Sequence, residues 1–203
     1  YSTTAFPASG QTYTWTPPCT QPTAADAGTD GSICIGSTAT LAANTPSVGT
    51  AAWSVVSGPS TSLAQFSSTS SPTAVFTPAG GAGTYTLRWT ISNSPCPSRT
   101  DDVVITVVGA PTTSNAGSDQ NICATAGSAT MAANNPTTGV GAWSQVSGPV
   151  TANIANTALR TTGISGMTTA GSYTFRWTIS NAPCAASTDD VVIVATPGTS
   201  ASA

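Results

Sequence analysis

The chain repeats itself, and that constrains its fold more than any single motif does. Asp26-Ala-Gly-Thr-Asp30 returns as Asn115-Ala-Gly-Ser-Asp119, and Leu41-Ala-Ala-Asn44 as Met131-Ala-Ala-Asn134. Ala52-Trp53-Ser54 returns as Ala142-Trp143-Ser144, and Val56-Ser57-Gly58 as Val146-Ser147-Gly148. Tyr85-Thr-Leu-Arg-Trp-Thr-Ile-Ser-Asn93 returns as Tyr173-Thr-Phe-Arg-Trp-Thr-Ile-Ser-Asn181, and Asp101-Asp-Val-Val-Ile105 as Asp189-Asp-Val-Val-Ile193. The offset stays between 88 and 90 residues throughout. Two copies of one domain in tandem account for it, over residues 23–109 and 110–197, with a tail at 198–203.

Each copy reads as short strands. Val, Ile, Thr, Trp and Tyr cluster between Gly, Pro, Ser and Asn, without a helical period. Tyr85, Leu87, Trp89 and Ile91 share one face of a strand, and Thr84, Thr86, Arg88 and Thr90 share the other. With a Trp53 strand before it and a Val103–Val108 strand after it, each copy is expected to form about seven strands in two packed sheets, an all-β immunoglobulin-like sandwich. Tyr85 and Tyr173 open the penultimate strand, where a tyrosine corner is expected. Trp53, Trp89, Trp143 and Trp177 are expected in the core. Arg88 can pair across strands with Asp101 or Asp102, and Arg176 with Asp189 or Asp190.

The ionisable inventory excludes several functions. All seven acids are Asp, all four bases are Arg, and Glu, Lys and His are absent. Without a His, Lys or Glu base, and without a GxSxG elbow, the chain has no ordinary means of activating a nucleophile. Adjacent pairs such as Asp101-Asp102 point to opposite faces of a strand, so two carboxylates do not converge, and the chain reads as non-enzymatic. A net charge of −3 with scattered Arg gives no footing for nucleic acid. No apolar run reaches the length of a membrane span. Ser and Thr, about a third of the residues, supply polarity in place of charge. Such a surface suits O-glycosylation, and it puts little repulsion between closely packed identical subunits.

Five cysteines sort by the repeat. Cys34 and Cys96 in the first copy match Cys123 and Cys184 in the second, so the expected disulfides are Cys34–Cys96 and Cys123–Cys184, with export to an oxidising compartment. Cys19 has no counterpart and reads as a buried thiol, a free thiol or a bond to another chain. The start at Tyr1 fits either a mature secreted product or an excerpt of a precursor, and both ends are expected to pack against something.

The run Ala-Asp-Ala-Gly-x-Asp, Ile-Cys, Leu-Ala-Ala-Asn, Trp-Ser-Val-Val-Ser-Gly, Tyr-Thr-Leu-Arg-Trp-Thr-Ile-Ser-Asn and Asp-Asp-Val-Val-Ile resembles the PKD-like immunoglobulin repeats of Bacteroidota surface and gliding-associated proteins, over residues 24–197. The resemblance implies an exported bacterial protein, handled by a type IX-like system, in which such repeats serve as spacers, stalks or adhesin bodies. Some PKD-like domains bind calcium near the domain start. Asp26, Asp30 and Asp119 are the corresponding candidates, although Asn115 stands where the first copy has Asp26. No other metal and no cofactor is expected.

Residues 1–22 belong to neither copy. Tyr13 and Trp15 alternate with Thr12, Thr14 and Thr16, which makes a candidate strand with two aromatics on one face. A spare strand needs a sheet edge, on its own domain or on a neighbouring molecule. Tyr13, Trp15 and Cys19 are therefore the candidate contacts between subunits of a homopolymer joined by strand addition. The alternative is an adhesive module or spacer of a larger surface protein, meeting glycans through loops at Phe66–Pro78 or Thr151–Gly166.

Overall fold

A computed structural model describes residues 19–198 of the chain. They are all-β, apart from one 3-10 turn at Leu63–Gln65. The strands of the first half are β1 (Gly31–Cys34), β2 (Ala39–Thr40), β3 (Thr50–Ser57), β4 (Val75–Phe76), β5 (Gly83–Asn93) and β6 (Cys96–Val108). Those of the second half are β7 (Gln120–Cys123), β8 (Ala129–Ala132), β9 (Val140–Ser147), β10 (Asn153–Ile154), β11 (Thr161–Ser165), β12 (Gly171–Ser180) and β13 (Ser187–Thr196).

Each half is a sandwich around its own core. Four strands form the larger sheet, in the order β1-β6-β5-β3 in the first and β7-β13-β12-β9 in the second. The smaller sheet is β10-β11-β8 in the second domain. In the first it shrinks to β2-β4, with an isolated bridge from Phe66 to Phe76 beside it. The first domain thus has six named strands where about seven are expected. One pairing is parallel in each domain, β1 on β6 and β7 on β13, which aligns the end of the domain's first strand with the end of its last.

Alternation decides which side chains face inward. In β5, Tyr85, Leu87, Trp89 and Ile91 are fully buried while the intervening residues are not, and in β12 Tyr173, Phe175, Trp177 and Ile179 repeat the pattern. Trp53 packs on Trp89 with ring centroids 4.9 Å apart, and Trp143 on Trp177 at 5.1 Å. Burying side chains of this size contributes about 2–3 kcal/mol each, so these pairs anchor the two cores. The four tryptophans are buried together with Tyr85 and Tyr173.

The tyrosine corners form as well. Tyr85 Oη accepts from Gly80 N (3.0 Å) and donates to Gly81 O (3.3 Å), and Tyr173 Oη donates to Thr169 O (2.9 Å). Val56 and Val146 lie where the strand register shifts, and there they turn outward. A bulge admits one extra residue without a partner, which explains two exposed valines in otherwise regular strands.

Candidate functional site: the junction between the domains

The repeated loop motif is a clamp. Asn44 accepts from Asp26 N at 3.0 Å and donates to Ala24 O at 2.8 Å. Asn134 does the same to Asn115 N and Thr113 O, both at 2.9 Å. Asp26 Oδ1 accepts from Gly28 N at 2.9 Å, and Asn115 Oδ1 accepts from Gly117 N at the same distance. A neutral amide performs the task as well as a carboxylate, so this position does not depend on charge.

The other candidate carboxylates are occupied similarly. Asp30 accepts from Val104 N (2.9 Å) and Asp119 from Val192 N (2.8 Å), each tying the approach to the first strand onto the last strand. Among the described residues, no three His, Cys, Asp or Glu side chains gather to hold a metal ion. The adjacent acids divide their labour. Asp101 and Asp189 accept from Ala27 N and Ala116 N at 2.7 Å, whereas Asp102 and Asp190 form two-pronged pairs with Arg88 and Arg176 at 2.7 and 2.8 Å. The hydrogen bonds from Arg88 hold the Asp102 carboxyl below the usual aspartate range, against the opposing effect of burial, and the attraction of charge adds to them. Arg176 acts likewise on Asp190.

The cysteines correct the expectation. The bonds are Cys19–Cys96 and Cys34–Cys184, and Cys123 is free and exposed. Cys34 lies beside Val108 at the end of β6, while Cys96 opens the same strand. Twelve residues of extended chain separate those ends by about 40 Å, far beyond the reach of a disulfide. Likewise Cys123 sits beside Thr196 at the end of β13, and Cys184 precedes the start of that strand. The two cysteines of one copy lie at opposite ends of its sandwich, so a bond inside one domain is impossible and a bond between consecutive domains is natural. Cys19 is also corrected as a contact between subunits, since its partner is in its own chain. Tyr13 and Trp15 lie outside the described residues.

Cys34–Cys184 therefore straps the end of one sandwich to the hairpin of the next, with Cα atoms 4.7 Å apart. The connecting segment beneath it is pinned at Gly109, Thr112, Thr113 and Ser114. Asn181 Nδ2 donates to Gly109 O (2.7 Å), Thr112 N donates to Thr138 O (3.0 Å), and Thr112 Oγ1 accepts from Thr137 N and Thr138 N (2.9 Å each). Ser114 Oγ, buried, donates to Trp177 O at 2.6 Å. Gly139, at φ +93°, makes the turn that receives this segment, and a Cβ there would lie 2.6 Å from Ser180 O. Sequence reasoning missed the junction because it paired cysteines inside each copy. The signal was present in the matched positions of the four cysteines, which serve a bond between copies equally well.

Residues 19–23 are built like this segment. Asn93 Nδ2 donates to Thr20 O (2.8 Å), and Thr23 Oγ1 accepts from Ser47 N (3.0 Å) and Val48 N (2.9 Å). The end of the N-terminal extension is thus the entry segment of the first sandwich. The two regions expected as binding loops contribute strands to the smaller sheets. Phe66 and Phe76 are buried, Thr151–Gly166 contains β10 and β11, and Ile164 is a core residue.

Comparison with known proteins agrees with this architecture. Residues 116–195 match the family model described as K319L-like, PKD domain. No curated protein matches the chain. Among solved structures, extracellular domains 3–5 of Drosophila OTK are similar with a TM-score of 0.56 and 15% identity, over 87% of this chain and 60% of that one. Sidekick-1 immunoglobulin domains 1–4 give 0.53 and 13% over 90% and 51%, and an I-band fragment of titin gives 0.51 and 11% over 89% and 67%. The chain spans about three fifths of the OTK structure and half of the Sidekick-1 structure. The second sandwich is thus similar in sequence to a PKD domain, and the two sandwiches together have the immunoglobulin-like fold of these structures.

Proposed function

We propose that this chain is a non-enzymatic structural segment of an extracellular bacterial filament or surface stalk, whose subunits join head to tail. The observation that carries this reading is the strapped junction. A disulfide laid across a pinned connector restricts bending between the domains, which suits a part that must keep its reach and transmit tension. Independent binding modules gain nothing from it. Two disulfides in one small chain are the mark of an oxidising compartment, consistent with a place outside the cell. No helix among the described residues is long and apolar enough to cross a membrane.

Strand addition supplies the join. The extension ahead of Cys19, with Tyr13 and Trp15, pairs with an open sheet edge of a neighbouring copy, and such contacts grow into fibres when they do not close. Negative-stain electron microscopy of the purified chain over a range of concentrations tests the reading. Unbranched filaments are expected, and removal of residues 1–18 is expected to leave single two-domain rods. Rods alone at every concentration of the intact chain would sink the proposal in favour of a spacer or adhesive module.

A further inference from the structure

Cys123 closes β7 as Cys34 closes β1. Both stand beside the end of the domain's last strand, Cys34 at Val108 and Cys123 at Thr196. In both cases the chain turns away at once. Ile35 N donates to Val108 O and Ala124 N to Thr196 O, each at 2.8 Å, and Ser37 N and Ala126 N donate to the cysteine carbonyls at 2.9 and 3.0 Å. Of these two equivalent cysteines, the first is bonded to the hairpin cysteine of the following domain, and the second is exposed with a free thiol.

The other end of the chain carries the complementary half. Cys96 and Cys184 are equivalent hairpin cysteines, each preceded by a proline and near an asparagine, Asn93 or Asn181, that donates to the entering chain. In the second domain the entering chain is Val108–Gly109, and Cys184 Sγ lies 3.4 Å from Gly109 O. In the first it is Cys19–Thr20, and Cys96 Sγ lies 3.1 Å from Thr20 O. Cys19 and Thr20 thus occupy the place that the end of a preceding domain takes at the internal junction. They hold the hairpin cysteine in a disulfide while they are there.

The geometry points to an intermolecular junction of the same build, in which Cys123 of one molecule bonds to Cys96 of a second copy and Cys19 of that copy is the leaving group. The inference rests on the head-to-tail assembly proposed above. Thr196 and Pro197 of the first molecule stand where Val108 and Gly109 stand at the internal junction, so seating them displaces Cys19 and Thr20. The Cys123 thiolate attacks Cys96 Sγ, the Cys19–Cys96 bond breaks, and Cys19 departs as a thiolate that takes up the proton Cys123 gave up. One disulfide is exchanged for another, and no oxidant is consumed.

The arginines make the test direct. Trypsin cuts after Arg88, Arg99, Arg160 and Arg176, which places Cys96 in peptide 89–99, Cys123 in 100–160, Cys184 in 177–203, and Cys19 with Cys34 in 1–88. The full chain is assembled without added oxidant at mildly alkaline pH, its free thiols are alkylated, and it is run on a non-reducing gel and digested. A ladder of multimers is expected, containing 89–99 bonded to 100–160 and a newly alkylated Cys19. In Cys123→Ser the ladder is expected to vanish while the thermal midpoint stays at the wild-type value, since the side chain is exposed. The inference is overturned by 100–160 bonded to itself, by 100–160 bonded to 1–88, or by Cys123 recovered wholly alkylated from assembled chain. Filaments that form equally from wild type and Cys123→Ser with no 89–99 to 100–160 product overturn the exchange and leave assembly standing. Wild-type chain that stays as single rods overturns the assembly reading itself.

Discussion

Cys34, the last residue of β1, is bonded to Cys184 in the hairpin of the following domain, 150 residues away in sequence. That bond closes about three quarters of the chain into a loop, and it crosses the one connector between the two cores. It explains why the repeat carries its cysteines at opposite ends of the sandwich. The first domain reaches forward with Cys34, and the second is reached from behind at Cys184.

Loss of this strap is expected to weaken and loosen the molecule together. In the chain-entropy account, a loop of this length stabilises the folded state by up to about 5 kcal/mol. Replacing both Cys34 and Cys184 by Ser is therefore expected to lower the thermal midpoint clearly. Small-angle scattering is expected to show a broader distribution of domain orientations. A double variant with the wild-type midpoint and scattering profile would mean that the pinned connector suffices alone.

The two Arg–Asp pairs set a pH dependence with a definite sign. Hydrogen bonds from Arg88 and Arg176 lower the folded-state pKa of Asp102 and Asp190. The stabilisation is therefore fully present above the ordinary aspartate pKa of about 3.9 and is lost as pH falls through the lower folded value. NMR titration of the carboxyl carbons is expected to find both groups below that ordinary value, and Arg88→Gln is expected to return Asp102 to it while Asp190 stays low. The stability gap between wild type and Arg88→Gln should narrow below about pH 4. Both pairs are partly exposed, with Arg88 and Asp102 at 40% and 35%, so the gap is expected to be small.

One difference between the copies predicts unequal responses to the same substitution. Trp89 Nε1 donates to Asn44 O at 3.1 Å, whereas Trp177 Nε1 is buried with no partner. Where the first domain has Ala51 the second has Gly141, and the Trp177 indole fills the space that a Cβ at 141 would need. Trp89→Phe is expected to cost about 1 kcal/mol more than Trp177→Phe, because only the former breaks a hydrogen bond and leaves a carbonyl unpaired. Gly141→Ala is expected to destabilise the second domain by about 1–3 kcal/mol through overpacking. Urea unfolding of the three variants checks both, and equal costs for the two tryptophans would show that the missing partner does not matter.

The sequence by itself determined the repeat, the strand character, the inward faces of β5 and β12, the tyrosine corners and the tryptophan cores. These follow from local periodicity, because alternate residues of a strand must face opposite sides whatever lies beyond them. It also narrowed Arg88 and Arg176 to two neighbouring acids each, and the strand register chose Asp102 and Asp190. The cysteine pairing was decided only by the tertiary structure. Equivalent positions in sequence imply equivalent positions in two domains, but nothing local says that the two ends of β6 point to different neighbours, or that a parallel β1 carries Cys34 to the far end of the sandwich. The same holds for the entry segment, where Cys19 reads as a cysteine without a counterpart. Disulfides depend on distance across the fold, and distance across the fold exists only once the sheets have formed.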